Sequence, residues 1–113
     1  MHEYSIVQSL LDLCEQNAGQ HNAKAISKVT VKIGTLSGVE PELLKSAFDT
    51  FKEKTICDSA LFHIDIQPPV IRCRACGKES TLDALEHRCP VCQSEDVTLI
   101  DGDEMYLMSL EME

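Results

Sequence analysis

Apolar residues recur every third or fourth position over residues 3–18: Tyr4, Val7, Leu11, Cys14 and Ala18, with Ile6, Leu10 and Leu13 widening the stripe. That period predicts an amphipathic helix, closed by Gly19. The period then switches to two. Val29, Val31 and Ile33 alternate with Thr30 and Lys32, which predicts a half-buried strand ending at Gly34. Thr35-Leu36-Ser37-Gly38 reads as a turn, and Pro41 suits the first position of a second helix, where its missing N–H does no harm. Leu44, Ala47, Phe48 and Phe51 form that helix's buried face. Phe62, Ile64 and Ile66 alternate with His63 and Asp65 in a second strand, stopped by Pro68-Pro69. Residues 105–112 are almost all apolar or β-forming and predict a third strand. It is expected to pair with an earlier one, because otherwise Tyr106, Met108 and Leu110 would stand exposed.

The stretch between the last two strands breaks both periods and carries two C-x-x-C pairs, Cys73-Arg74-Ala75-Cys76 and Cys89-Pro90-Val91-Cys92. Each pair lets two thiolates grip one metal from a single tight turn, and the 12 residues from Gly77 to Arg88 suffice for a hairpin that folds one turn onto the other. Four thiolates on one ion make a closed tetrahedral site, which zinc prefers. Such a site has no open position for water or substrate, so it holds a fold together and performs no reaction. The expected architecture is therefore α/β (α+β): a small three-stranded sheet with two helices and an inserted zinc ribbon. Its domains are residues 1–69 with 102–113, and the ribbon 70–101. Apart from the paired C-x-x-C turns the chain shows no internal repeat.

Composition excludes several functions. At 113 residues the chain is one small domain with a satellite. It has no run of 18 apolar residues and no basic-then-apolar leader, so neither a membrane span nor export is expected. Two of the six cysteines, Cys14 and Cys57, fall in helix or at a helix end, which fits free thiols in a reducing cytoplasm better than a disulfide scaffold. The net charge is −9, from 19 acidic and 10 basic residues, and this disfavours a nucleic-acid partner. An adaptor for nucleic acid would need a basic face with aromatics; the ribbon offers only Arg72, Arg74, Lys78 and Arg88, and the chain has no Trp. A thiol oxidoreductase would need one exposed, acidic cysteine pair between a strand and a helix, whereas two pairs at hairpin spacing point to metal. No Ser/His/Asp set, phosphate loop or pair of catalytic carboxylates is identifiable, so the chain is not expected to be an enzyme.

The other chemistry-bearing segment is Met1-His2-Glu3. A free amine, a deprotonated amide and an imidazole in succession form a strong-field set that favours square-planar Ni2+ or Cu2+. Glu3, or an acid from elsewhere, supplies a remaining oxygen. A solvated terminal histidine is the plainer alternative.

Met1-His2-Glu3-Tyr4-Ser5, Ile33-Gly34, Leu36-Ser37-Gly38-Val39-Glu40-Pro41, Ala47-Phe48, the double C-x-x-C and Met105-Tyr106-Leu107 together resemble the HypA family, in order and over the whole chain. The resemblance implies a nickel metallochaperone for maturation of [NiFe]-hydrogenase and, in some bacteria, urease. It implies one structural Zn2+ on Cys73, Cys76, Cys89 and Cys92, and Ni2+ as transient cargo at His2, with the Met1 amine and the backbone nitrogens of His2 and Glu3 beside it. Glu40 matches an acid that approaches nickel from the second loop, directly or through water. The implied partners are a HypB-type GTPase and a nickel-enzyme precursor: the hydrogenase large subunit, or urease accessory proteins. Some relatives carry a histidine just after each cysteine pair and exchange zinc ligands with pH; here those places hold Gly77-Lys78 and Gln93-Ser94, and His87 is the nearest stand-in. His21 and His63 read as ordinary surface residues. The client enzyme, and whether the chain is a monomer or a homodimer, stay open at this point.

Overall fold

The structure is a computed structural model that describes residues 2–83 and 88–113, with the side chain of His2 outside the description. Its elements in chain order are α1 (His2–Gln20), β1 (Ile26–Gly34), α2 (Pro41–Phe51), β2 (Leu61–Gln67), β3 (Val70–Cys73), β4 (Glu79–Thr81), β5 (Val97–Asp101) and β6 (Met105–Met112). They form two three-stranded sheets, in the orders β2-β1-β6 and β4-β3-β5. The first sheet and the two helices are the expected α+β arrangement, and the last strand does pair with an earlier one, although pairing does not cover Tyr106 and Met108, which stay exposed on it. Strands β1 and β6 run antiparallel. The Glu113 N–H donates to the Ala25 carbonyl (2.9 Å) near the start of β1, and the Gly34 N–H donates to the Glu104 carbonyl (2.9 Å) at its end.

The chain divides into two compact units. The first comprises the chain up to Lys32, Val39–Asp65 and Tyr106–Glu113; the second comprises Ile33–Gly38 and Ile66–Met105.

In the first unit the apolar stripe of α1 is buried through Val7, Leu10, Leu11, Cys14 and Ala18, as are Val29 and Val31 of β1 and Leu44, Ala47 and Phe48 of α2, the helix that packs on α1. Phe48 stacks on Phe62, with ring centroids 4.3 Å apart and an interplanar angle of 10°. Not every residue of the predicted stripes is buried. Tyr4 and Phe51 stand 42% and 37% exposed and meet edge to face at 5.4 Å. Leu13 and Ile66 are also exposed. Periodicity marks a face, but the neighbouring element decides how far round the helix burial extends.

Helix α1 does not stop at Gly19. It continues through Gln20 and closes at Asn22, which takes the left-handed conformation (φ 54°). The Asn22 N–H donates to the Gly19 carbonyl and the Ala23 N–H to the Ala18 carbonyl, the paired bonds of a Schellman closure. Asparagine tolerates this backbone well enough to serve, so Gly19 remains an ordinary helical residue. Helix α2 begins as expected, with Pro41 at its first position and Glu40 at the N-cap in extended backbone.

In the second unit β3 is central. It pairs antiparallel with β4 (Ile71 opposite Ser80) and with β5 (Arg72 opposite Thr98), with a bulge at Val70/Ile71. The sequence predicts a hairpin here but not its individual strands, because strands of three to five residues are too short for alternation to register. Gly34 also belongs to this unit. A Cβ built on it would lie 2.2 Å from the Gly102 carbonyl carbon and oxygen, so two backbones touch where no side chain fits.

Candidate metal centres

The two C-x-x-C turns are built on the same hydrogen-bond frame. In the first, the Gly77 N–H donates to the Cys73 carbonyl and the Cys73 N–H to the Lys78 carbonyl, both at 2.9 Å. In the second, the Gln93 N–H donates to the Cys89 carbonyl and the Cys89 N–H to the Ser94 carbonyl, again at 2.9 Å. The residue after the second cysteine has positive φ in each turn: 77° at Gly77 and 66° at Gln93. Glycine meets that demand at no steric cost; glutamine does so with strain.

The frame turns backbone amides toward sulfur. The Cys76 N–H points at the Cys73 Sγ (3.4 Å) and the Val91 N–H at the Cys89 Sγ (3.3 Å). All four sulfurs lie within 4.8 Å of one another, with Cys73 Sγ to Cys92 Sγ at 3.5 Å and Cys76 Sγ to Cys89 Sγ at 3.7 Å. A tetrahedral zinc with Zn–S bonds of about 2.3 Å sets its sulfurs roughly 3.8 Å apart. The donor set and its spacing therefore fit one Zn2+ in a closed site.

The amides also set the charge. The Cys76 amide leads the hydrogen bonds that draw Cys73 from 9.0 to about 7, against the effect of desolvation. The Cys92 amide does the same for Cys89, whose thiol is also lowered. Cys92 is pulled down by the Ser94 amide, but hydrogen bonds with the other thiols, Cys73 foremost, and desolvation outweigh this and raise it to about 12. Neighbouring thiols thus share protons that a divalent cation would displace. The ribbon's arginines are engaged elsewhere: Arg72 with Glu79, Arg74 with Asp96 and the Thr98 hydroxyl, and Arg88 with Glu95.

Of the residues predicted to hold nickel, Met1 and the His2 side chain lie outside the described residues. The backbone of His2 opens α1. Glu3, in its first turn, reaches the start of α2: its Oε2 accepts a hydrogen bond from the Glu40 N–H at 3.3 Å. Helix N-termini carry partial positive charge, and the acids Glu3 and Glu42 in the two first turns answer it. The Glu40 carboxylate does not fold back to cap α2.

The remaining candidates have local partners. His21 Nδ1 is 2.8 Å from the Asn17 carbonyl, and His63 Nε2 is 2.8 Å from Asp65 Oδ1. His87 lies outside the described residues. Cys14 and Cys57 are both fully buried. They share a hydrogen bond that keeps the Cys14 thiol protonated and draws Cys57 below the usual thiol range. This contact was invisible in the sequence, since the two are 43 positions apart with no motif between them. Among the described residues no helix is long and apolar enough to cross a membrane.

Comparison with known proteins agrees with this architecture. Residues 1–112 match a family described as hydrogenase/urease nickel incorporation, metallochaperone, hypA. The chain is 51% identical over 113 residues to the hydrogenase maturation factor HypA of Shewanella baltica, covering all of this chain and 97% of that protein. It is equally similar, at 51% over 113 residues, to the HypA of Aquifex aeolicus, covering 98% of it. The solution structure of the Ni metallochaperone HypA from Helicobacter pylori superposes with a TM-score of 0.70 at 38% identity, over 97% of this chain and 96% of that one.

Proposed function

Because the chain belongs to the HypA family, the nickel-incorporation metallochaperones of hydrogenase maturation, we propose that it binds Ni2+ at its N-terminus and delivers it with a HypB-type GTPase. The ligands are the Met1 amine, the backbone nitrogens of His2 and Glu3 and the His2 imidazole, with the Glu40 carboxylate approaching directly or through water. The observation that carries this reading is the hydrogen bond from the Glu40 N–H to Glu3 Oε2, which joins the start of α2 to the start of α1. A second support comes from helix geometry. The first four N–H groups of a helix have no intrahelical acceptor, so α1 loses no hydrogen bond when the nitrogens of His2 and Glu3 go to a metal. The peptide nitrogens, amine and imidazole suit nickel, while the four thiolates of Cys73, Cys76, Cys89 and Cys92 suit zinc. In this reading one structural Zn2+ closes the ribbon, residues 70–101, and the Ni2+ cargo belongs to residues 1–69 with 102–113. The precursor it serves in the cytoplasm is the hydrogenase large subunit.

Nickel titration of the untagged protein tests the assignment. One Ni2+ per chain is expected, with loss of binding in His2→Ala and an altered nickel spectrum when residues are added before Met1. Normal binding by His2→Ala would refute the site.

A further inference from the structure

Two hollows lie between α1 and α2 and leave apolar side chains uncovered. One, of about 220 Å³, is lined by Gln8, Leu11, Asp12, Glu15, Phe51 and Thr55. The other, of about 130 Å³, is lined by Glu3, Tyr4, Leu43, Ser46, Ala47 and Thr50. They are neighbours, because Tyr4 of the second touches Phe51 of the first. Tyr4, Leu43 and Phe51 are 42%, 57% and 37% exposed.

Each hollow is smaller than the roughly 300–1,000 Å³ of a small-molecule site, but both suit side chains of a docked segment. Tyr4 and Leu11 on α1 are seven residues apart, about 10.5 Å along the axis. Anchors seven apart on a second helix have the same spacing, the pattern of a helix laid in a groove. Charge selects the kind of helix. The two linings contain Glu3, Asp12 and Glu15 and no basic residue, and α1 has no Lys or Arg anywhere. Lys52, close by on the chain, is occupied by Asp49 and the Ala60 carbonyl.

We propose that the groove between α1 and α2 is a docking site for a basic amphipathic helix of a protein partner. The groove reaches Glu3, whose carboxylate holds the Glu40 amide, so an occupant would sit beside the proposed nickel ligands. This link to delivery rests on the nickel reading; the docking itself does not.

The probe is a synthetic amphipathic peptide with leucines at helical spacing and flanking lysines, alongside a scrambled peptide of the same composition and a version with glutamate for lysine. The expected result is amide shifts confined to the groove residues of α1 and α2. Both control peptides should bind at least tenfold more weakly. The double variant Asp12→Lys/Glu15→Lys and, separately, Leu43→Ser should each weaken the basic peptide at least tenfold, with nickel titration unchanged. Equal binding of the scrambled peptide, unchanged affinity in both variants, or a dimer that buries the groove would each overturn the proposal. Peptide docking without nickel binding would sink the nickel site and leave the groove standing; nickel binding without docking would do the reverse.

Discussion

At the scale of single residues, the two cysteine turns set up a matched comparison. Gly77 and Gln93 hold equivalent places and both have positive φ. A side chain in that conformation costs about 1–2 kcal/mol, whereas glycine costs roughly 0.5–1 kcal/mol through the freedom of the unfolded chain. Strain is the larger effect. Gln93→Gly should therefore stabilise the zinc-loaded ribbon by up to about 1 kcal/mol, and Gly77→Ala should destabilise it by a similar amount. Chelator-induced unfolding of the two variants checks this; shifts of the same sign would contradict it. Gly34 is a different case. A methyl there meets the Gly102 backbone, which has no rotamer with which to yield. Gly34→Ala should cost about 1–3 kcal/mol, read as a lower urea midpoint at unchanged slope.

At the scale of elements, the helix–sheet packing depends on the stacked pair Phe48 and Phe62. Phe48 is fully buried, so Phe48→Ala should destabilise by about 3–5 kcal/mol, whereas Leu43→Ala on the exposed face of the same helix should change stability by under about 0.5 kcal/mol. Thermal melts of the two variants make the comparison. Most of this level was legible in the sequence. The alternation of Val29, Val31 and Ile33 marked β1, and Pro41 marked the start of α2. What was not legible depends on partners distant along the chain. Nothing local distinguishes Phe48, buried against β2, from Phe51, left against Tyr4, since both fall on one helical stripe. Asn22 outcompeted Gly19 as the helix stop because closure is decided by which later amides can reach the last carbonyls. The cysteine site was readable because its spacing is itself the geometry. Its strands β3, β4 and β5 were not, being ordered by cross-strand pairing and the turns they flank.

For the whole molecule, the expectations concern how metal, proton and salt compete. The ribbon's thiols must release protons to bind zinc, and Cys92, raised to about 12, carries its proton at neutral pH. Zinc affinity should therefore fall as pH drops from about 8 to about 6, with protons taken up as metal leaves. A chromophoric chelator at stepped pH measures this, and pH-independent retention would contradict it. Removing one ligand should act on one part of the chain. In Cys76→Ser the amide spectrum of residues 70–101 should collapse while that of α1 and α2 persists, because the ribbon has little apolar core of its own. A net charge of −9 means that binding to a basic partner should weaken steadily with added salt.

The shared frame of the two cysteine turns has one more consequence. Their four backbone hydrogen bonds, two in each turn, match in position and in length, which makes each turn a cassette that its neighbour's sequence can fill. Writing Cys-Arg-Ala-Cys-Gly-Lys in place of residues 89–94 should give a chain that still takes one zinc, with two glycine-closed turns and less strain. The reverse graft, Cys-Pro-Val-Cys-Gln-Ser over residues 73–78, should fold with the strain doubled. The two halves of the site are thus interchangeable parts, free to diverge on their outward surfaces while the hidden backbone pattern stays the same.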